Sequence, residues 1–136
     1  ISTSNLSRIV IMKNIVWFSI FAMSVAFSAG PAYGAVESRF FEATIRKIVT
    51  NASTGLCAAW VAPGPATKGL SLCNDRWITF DCEGTFGSKA SGTNAFSLAQ
   101  LAFVTGRPIS VNVTDGSRID VGSTQYCLAD QVQVSP

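Results

Sequence analysis

The spacing of hydrophobic positions changes along the chain, and it predicts one helix followed by a strand near the middle of the sequence. A set of apolar residues recurs at helical spacing within SGTNAFSLAQLAFVTG, so that this helix would press an apolar face onto a sheet. The set is Phe96, Ala99, Leu101, Ala102 and Phe103. Gly106 and Pro108 are the expected stop signals of the helix. From Ile109 to Thr114 apolar and polar residues alternate, which is the period of a half-buried strand.

Four other segments are typical of strands because aromatic and β-branched residues are frequent in them and turn residues separate them. They are residues 37–50, with a bulge near Arg46 and Lys47, residues 56–62, residues 70–83, with a break at Asn74 and Asp75, and residues 124–134. Asp115, Gly116 and Ser117 predict a turn before the last strand.

The resulting order is β-β-β-α-β-β, with the helix between the third and fourth strands. This is the connectivity of an OB-fold, a five-stranded Greek-key barrel, and we therefore expect a mainly β protein of this kind. An open α+β sheet with the helix lying across one face is the alternative.

The N-terminal part has the pattern of an export signal. Met12-Lys13-Asn14 precedes the uncharged apolar run IVWFSIFAMSVAFSA, and small residues follow as far as Ala35. A basic start, an apolar centre and a small-residue end predict a cleaved secretory signal peptide. A transmembrane anchor needs about 20 apolar residues, and this run breaks at Gly30-Pro31. We expect residues 1–34 to be removed, with the true start at Met12, and residues 35–136 to form one exported domain, periplasmic or secreted, without a membrane span.

Charge argues against nucleic acid as a partner. The chain has ten basic and eight acidic residues, and two of the basic ones, Arg8 and Lys13, precede Ala35. The remaining basic and acidic residues are equal in number, whereas binding to a phosphate backbone needs a basic excess on one face.

Four cysteines lie in the predicted domain and favour disulfides. They are Cys57, Cys73, Cys82 and Cys127. An even number of cysteines in a small exported domain is typical of disulfide bonds, and three pairings are open. We favour Cys57–Cys73 and Cys82–Cys127. A zinc site is disfavoured because no C-x-x-C pair and no histidine are present, so no metal and no cofactor are expected.

Catalytic chemistry has little support. Without histidine the commonest general base is missing, and cysteines held in disulfides provide no thiolate. Asp81 and Glu83, two residues apart on a strand, would share one face and could form an acid–base pair, but a solvated outer face explains them better. Asp75-Arg76 is interpreted as a turn with a local ion pair. We expect a protein that is not an enzyme and has no catalytic residues.

Aromatic residues are the candidates for ligand binding. Trp60, Trp77 and Tyr126 lie on predicted strands, and OB-type surfaces bind oligosaccharides or oligonucleotides with stacked rings. Burial of these rings in the core is an equally good explanation of the pattern. Balanced charge and export favour a sugar over a nucleic acid.

The layout resembles the secreted B subunits of bacterial AB-type toxins, in particular the subtilase-cytotoxin and typhoid-toxin B-subunit family, or a small exported bacterial protein related to them. The resemblance rests on the signal peptide, Cys57 and Cys73, Trp77 soon after them, and AQLAFVTGRPISVNV at residues 99–113. It implies an OB-fold that assembles as a pentamer and binds sialylated glycans. The family's aromatic- and proline-rich segment after the fourth strand is replaced here by TDGSRIDVGST, so no ligand-binding residues are transferred.

Two functions follow as hypotheses. The first is an exported, non-catalytic binding module, a glycan-binding oligomer like a toxin B subunit. The second is a periplasmic structural or protein-interaction domain that docks through its apolar helix.

Overall fold

The structure is a computed structural model that describes residues 34–136. The predicted upstream residues and signal peptide lie outside this range, except for Gly34. Within it the chain forms five strands and one α-helix. The elements are β1 (Ser38–Asn51), β2 (Leu56–Ala62), a short 3₁₀ turn (Ala66–Lys68), β3 (Trp77–Thr79), α1 (Lys89–Thr105), β4 (Ile109–Val121) and β5 (Thr124–Val134). The predictions of a mainly β protein and of one helix between the third and fourth strands are confirmed.

The strands form one mixed sheet whose order is β1-β2-β3-β5-β4. Neighbouring strands are antiparallel except for β3 and β5, which run parallel. The first half of β1 pairs with β4 and its second half pairs with β2, and the β1–β4 pairing closes the sheet into a barrel. The register of β1 against β2 shifts between Ile45 and Lys47, which confirms the predicted bulge.

Alternating side chains of the strands fill the barrel, as the period of two residues requires. Phe41, Ala43 and Ile45 of β1 and Ile109, Val111 and Val113 of β4 are all buried. The helix packs against the same core and contacts β1, β2 and β5. Its Phe96 ring lies 5.5 Å from the ring of Phe80, measured between centroids. One apolar core therefore holds the sheet and the helix together.

The helix begins and ends with the expected signals, but it buries a narrower stripe than its sequence predicts. Ser88 Oγ accepts a hydrogen bond from Ser91 N at the start, and Gly106, with φ of 68°, ends the helix in the left-handed region. Leu101 and Phe103 are exposed, so their predicted burial is wrong. The buried residues are Gly92, Phe96, Ala99 and Ala102. Mostly small residues let the helix approach closely: a Cβ at Gly92 would collide with the carbonyl oxygens of Phe80 and Asp81.

Two predicted boundaries are wrong. Residues 70–76 form turns instead of the first half of a long third strand, although Leu70 is fully buried. The predicted turn at 115–117 lies within β4, which continues to Val121. Asp115 explains this difference: its N–H donates to Glu37 O, and its carboxylate accepts from Glu37 N. These two bonds keep the chain extended, and the local irregularity becomes a register shift between Thr114 and Arg118.

All four cysteines are in disulfides, but the favoured pairing is wrong. The bonds are Cys57–Cys82 and Cys73–Cys127, with Cα–Cα distances of 6.1 and 5.4 Å. Because Phe80 N donates to Cys57 O, the chain just after β3 runs beside Cys57. Because Asn74 N donates to Gln125 O, the loop before β3 brings Cys73 next to β5. Two disulfides indicate an oxidising, exported compartment.

We expect the Cys73→Ser/Cys127→Ser variant to lose about 3–4 kcal/mol of unfolding free energy, because it frees a loop with a sequence separation of 54. The Cys57→Ser/Cys82→Ser variant, with a separation of 25, should lose somewhat less. Urea denaturation monitored by tryptophan fluorescence measures both losses. Peptide mapping without reduction checks the pairing, and a Cys57–Cys73 peptide would contradict the structure.

Candidate binding surface

The three aromatic residues predicted as ligand contacts lie side by side on the outer face of three neighbouring strands. Trp60 of β2 is directly opposite Trp77 of β3 in the antiparallel register. Tyr126 of β5 is the next neighbour, and its ring lies 6.3 Å from the Trp77 ring at an interplanar angle of 64°. Each of the three side chains is half-buried. We call Trp60, Trp77 and Tyr126 the aromatic row.

The row faces outward because the residues beside it face inward. Ala59 and Ile78, the neighbours of Trp60 and Trp77, form the adjacent β2–β3 pair and are completely buried. Alternation along a strand sends the next side chain to the opposite face of the sheet. The three rings are only half-buried and lie outside the apolar core, although the next pair on the same face, Ala58–Thr79, is completely buried.

Two cations contact the row at Trp60. Lys47 of β1 is opposite Trp60 in the register, and its Nζ lies 5.9 Å from the centroid of the indole. Arg76 Cζ lies 5.0 Å from the same centroid. Both distances are within the range of cation–π attraction, which is worth about 0.5–1 kcal/mol at an exposed site.

Neither cation is neutralised by an ion pair. In residues 34–136 the ion pairs are Arg39–Glu37 and Lys89–Glu83. The expected local pair between Asp75 and Arg76 is therefore wrong, since Arg76 extends over Trp60 instead. Sequence reasoning overlooked Lys47 as well. The predicted bulge at Arg46 and Lys47 was the available signal, because a bulge sets which residue of β1 faces β2.

A tight turn before β3 fixes the backbone of Arg76 and Trp77. Asn74 Oδ1 accepts hydrogen bonds from Arg76 N and Trp77 N, each 3.1 Å long. Val61 N donates to Arg76 O at 2.8 Å. The adjacent Cys73–Cys127 disulfide ties this turn to the strand that carries Tyr126. The row is thus built on restrained backbone.

A polar cavity of about 200 Å³ lies where the turn before β3 meets the turn between β4 and β5. Asn74 and Gln125, which line it, neighbour the row in sequence. Hydroxyl and amide groups dominate its lining: Ser71, Asn74, Ser123, Thr124 and Gln125. The cavity can exchange hydrogen bonds with a polar ligand, and none of the three rings of the row lines it.

Asp81 and Glu83 do not form the pair predicted from their spacing. Strand β3 ends at Thr79, and Asp81 is buried with φ of 38°, a left-handed conformation that is uncommon for a residue other than glycine. Its carboxylate accepts hydrogen bonds from the N–H groups of Thr85, Phe86 and Gly87 at 2.6–3.0 Å. Glu83 is exposed and lies 3.9 Å from Lys89 Nζ. Asp81 thus organises the loop that leads into the helix.

Other features of the described chain bear on the kind of site. Among residues 34–136 there is no cluster of three or more His, Cys, Asp or Glu side chains that could hold a metal ion. None of the helices described in the structure has the length and hydrophobicity needed to cross a membrane. A second cavity of about 200 Å³ lies between the start of α1 and β5, beside Asp81, Ser88 and Asp130.

Comparison of the chain with protein-family models, with curated proteins and with solved structures gave no match. The resemblance to toxin B subunits therefore rests on residue layout alone.

We expect Asp81→Ala to lower the free energy of unfolding by about 2–3 kcal/mol, because three N–H groups lose a charged acceptor. Asp81→Asn should lose less, since an amide oxygen still accepts and asparagine tolerates the left-handed region. Glu83→Ala, at an exposed site, is the matched control and should stay within about 0.5 kcal/mol of the wild type. Thermal and urea unfolding measure these differences. Equal stability of Asp81→Ala and the wild type would contradict a structural role for Asp81.

Proposed function

We propose that residues 35–136 are an exported OB-fold module, without catalytic activity, that binds a glycan on the aromatic row. The strand order β1-β2-β3-β5-β4, with the helix placed between β3 and β4, supports the OB-fold assignment. Proteins of this fold use the strand 2–3 face for oligosaccharides and oligonucleotides. Trp60 and Trp77 lie on that face.

The observation that carries the proposal is the clustering of three half-exposed rings with two cations that lie over Trp60 and form no ion pair within residues 34–136. A sugar has an apolar C–H face that can cover an aromatic ring, and hydroxyl groups at its edge that need hydrogen-bonding partners. Binding sites of small ligands combine these two elements, an apolar surface and a few polar groups. Arg76, whose guanidinium lies over Trp60, is placed to supply the polar part.

A sugar is favoured over a nucleic acid on charge. Two cations next to the row do not provide the continuous basic surface that follows a phosphate backbone. Acidic and basic residues are equal in number from Ala35 onward, which gives no general attraction for a polyanion.

The proposal includes a homo-oligomer, a pentamer if the toxin-B-subunit resemblance extends to assembly. Such an oligomer would present several copies of the row to one glycosylated surface. Multivalent binding of this kind raises overall affinity without any new contact in the single site.

We expect Trp77→Ala to weaken glycan binding about tenfold or more, because a central aromatic side chain dominates the energy of a small interface. The wild-type protein is first applied to an array of printed oligosaccharides, and the strongest binder is then titrated by calorimetry. Phe103→Ala, which removes an exposed ring on the helix instead of on the strands of the row, is the matched control and should bind like the wild type. Unchanged affinity of Trp77→Ala would exclude the row as the site.

The outer face of α1 supports the second function, docking onto a protein. Leu98, Leu101 and Val104 are 41%, 53% and 81% exposed and lie opposite the buried stripe of the helix. The helix carries a single charged residue, Lys89. Clustered apolar side chains on a surface are typical of interaction sites.

If this face mediates assembly, Leu101→Glu should reduce the mass in solution to that of a single chain while the unfolding free energy changes by no more than about 0.5 kcal/mol. Gln100→Glu introduces the same charge next to this position without removing an apolar side chain, and it should assemble like the wild type. Light scattering after size exclusion measures the mass. A wild-type protein that is itself monomeric would argue against the oligomer, and an assembled Leu101→Glu variant would argue against this face.

A further inference from the structure

Trp60 and Trp77 are neighbours in the row, but their surroundings differ. Both Lys47 and Arg76 lie over Trp60. No cation–π contact involves Trp77 in the part of the chain that the structure describes, and Tyr126 meets its ring at a steep angle. The two indoles therefore do not offer equivalent surfaces to a ligand.

A ligand that stacked on Trp60 would have to displace a cation that already lies there. A ligand that stacked on Trp77 would lose no such contact. The geometry thus favours Trp77 as the stacking ring and leaves Trp60 for a different role.

We infer that Trp60 is a positioning residue, which holds the Arg76 guanidinium beside Trp77 so that Arg76 donates hydrogen bonds to the sugar stacked on Trp77. This inference rests on the proposed glycan-binding function. It assigns stacking and hydrogen bonding in the site to two adjacent residues, Trp77 and Arg76. It also predicts the feature that the sugar must have, namely two neighbouring oxygens at the ring edge.

The restraint on Arg76 supports this role. Its N–H donates to Asn74 Oδ1 and its carbonyl accepts from Val61 N, so the root of the side chain is fixed at both sides. The indole of Trp60 then supports the far end of the side chain, 5.0 Å from the ring centroid. A guanidinium that lies on an aromatic ring keeps its N–H donors free in its own plane.

The chemistry of the guanidinium determines what it can recognise. Its donors form a rigid fork that suits two adjacent oxygen atoms, whereas a lysine ammonium is a point charge without this geometry. Arg76 forms no ion pair within residues 34–136, so no carboxylate there competes for the fork. A pair of neighbouring sugar hydroxyls fits these donors while the C–H face of the same sugar covers Trp77.

The test uses the protein purified from the exported fraction after expression of the full sequence, and the oligosaccharide that gives the strongest response on the printed array. We expect Arg76→Ala and Trp60→Leu each to weaken binding about two- to tenfold, the net contribution of one hydrogen bond from Arg76 to the sugar. The variant that combines Arg76→Ala with Trp60→Leu should bind the sugar no more weakly than the weaker of the two single variants. Both changes remove the same positioned guanidinium. Trp60→Phe keeps a ring beneath the guanidinium and should bind nearly as well as the wild type. Arg76→Lys should behave like Arg76→Ala, since it keeps the charge and loses the fork.

A measurement without sugar provides the readout that a merely structural role of Trp60 would not change. The Arg76 Nε–Hε proton should resonate upfield in the NMR spectrum, because it lies in the ring-current field of Trp60. Trp60→Leu should move this resonance to the normal arginine position, and Trp77→Ala should leave it near its wild-type position. If Trp60→Leu does not fold, as judged by thermal unfolding, Trp60→Phe and Arg76→Lys still test the inference.

The outcomes separate the two proposals. Loss of binding in Trp77→Ala with unchanged binding in Trp60→Leu or Arg76→Lys overturns the inference and leaves the glycan function standing. The inference is also overturned if the fold-loss of affinity in the double variant equals the product of the fold-losses in the two single variants. Absence of any binding on the array, or full binding by Trp77→Ala, overturns the proposed function and the inference with it.

Discussion

Strand β1 pairs with two different strands, and the rest of the structure depends on that double pairing. Its first half is bonded to β4 and its second half to β2, so a single strand joins the two ends of the sheet. The partner changes between Ala43 and Thr44, and the bulge between Ile45 and Lys47 follows just after it, within the pairing with β2. Without the bulge, the inward alternation of Phe41, Ala43 and Ile45 would not be compatible with Lys47 facing Trp60. The same bulge therefore lets β1 face the core with Ile45 and place Lys47 beside Trp60 on the outside.

The core and the aromatic row are formed by the same strands, with alternate residues belonging to each. Along β2 and β3, Ala59 and Ile78 fill the interior while Trp60 and Trp77 form the row outside. A closed sheet of this kind holds its outer side chains at spacings fixed by the strand register. The proposed site thus has little freedom to rearrange, which lowers the entropic cost of binding a rigid sugar ring.

How well the sequence predicts the structure differs from element to element. Strand β2 and the end of the helix could be predicted because a strong turn signal follows each of them, Pro63 after the strand and Gly106 after the helix. The third strand could not, since Leu70 and Leu72 alternate with polar residues as a strand does. Leu70 is nevertheless buried. It lies in a loop that is stabilised by turn hydrogen bonds. In such a loop the apolar pattern reports burial and not backbone conformation.

The remaining errors concern contacts between segments that are distant in sequence. The Cys73–Cys127 bond follows from the parallel neighbours β3 and β5, and local periodicity does not show that these two strands are adjacent. The three rings of the row can be predicted from their positions on strands. The contact of Arg76 with Trp60 cannot, and the sequence instead favours an ion pair between Arg76 and Asp75. Which cation lies on which ring depends on the turn at Asn74 and on the β2–β3 register.

The parallel pairing of β3 with β5 is the shortest strand pairing of the barrel, with only Ile78–Cys127 and Thr79–Leu128 as residue pairs. Trp77 lies on one side of this pairing and Tyr126 on the other, and the Cys73–Cys127 bond crosses it. A covalent bond therefore holds the two halves of the aromatic row together. In a reducing compartment this bond would be absent, so the arrangement of the row depends on the oxidising environment that the two disulfides indicate.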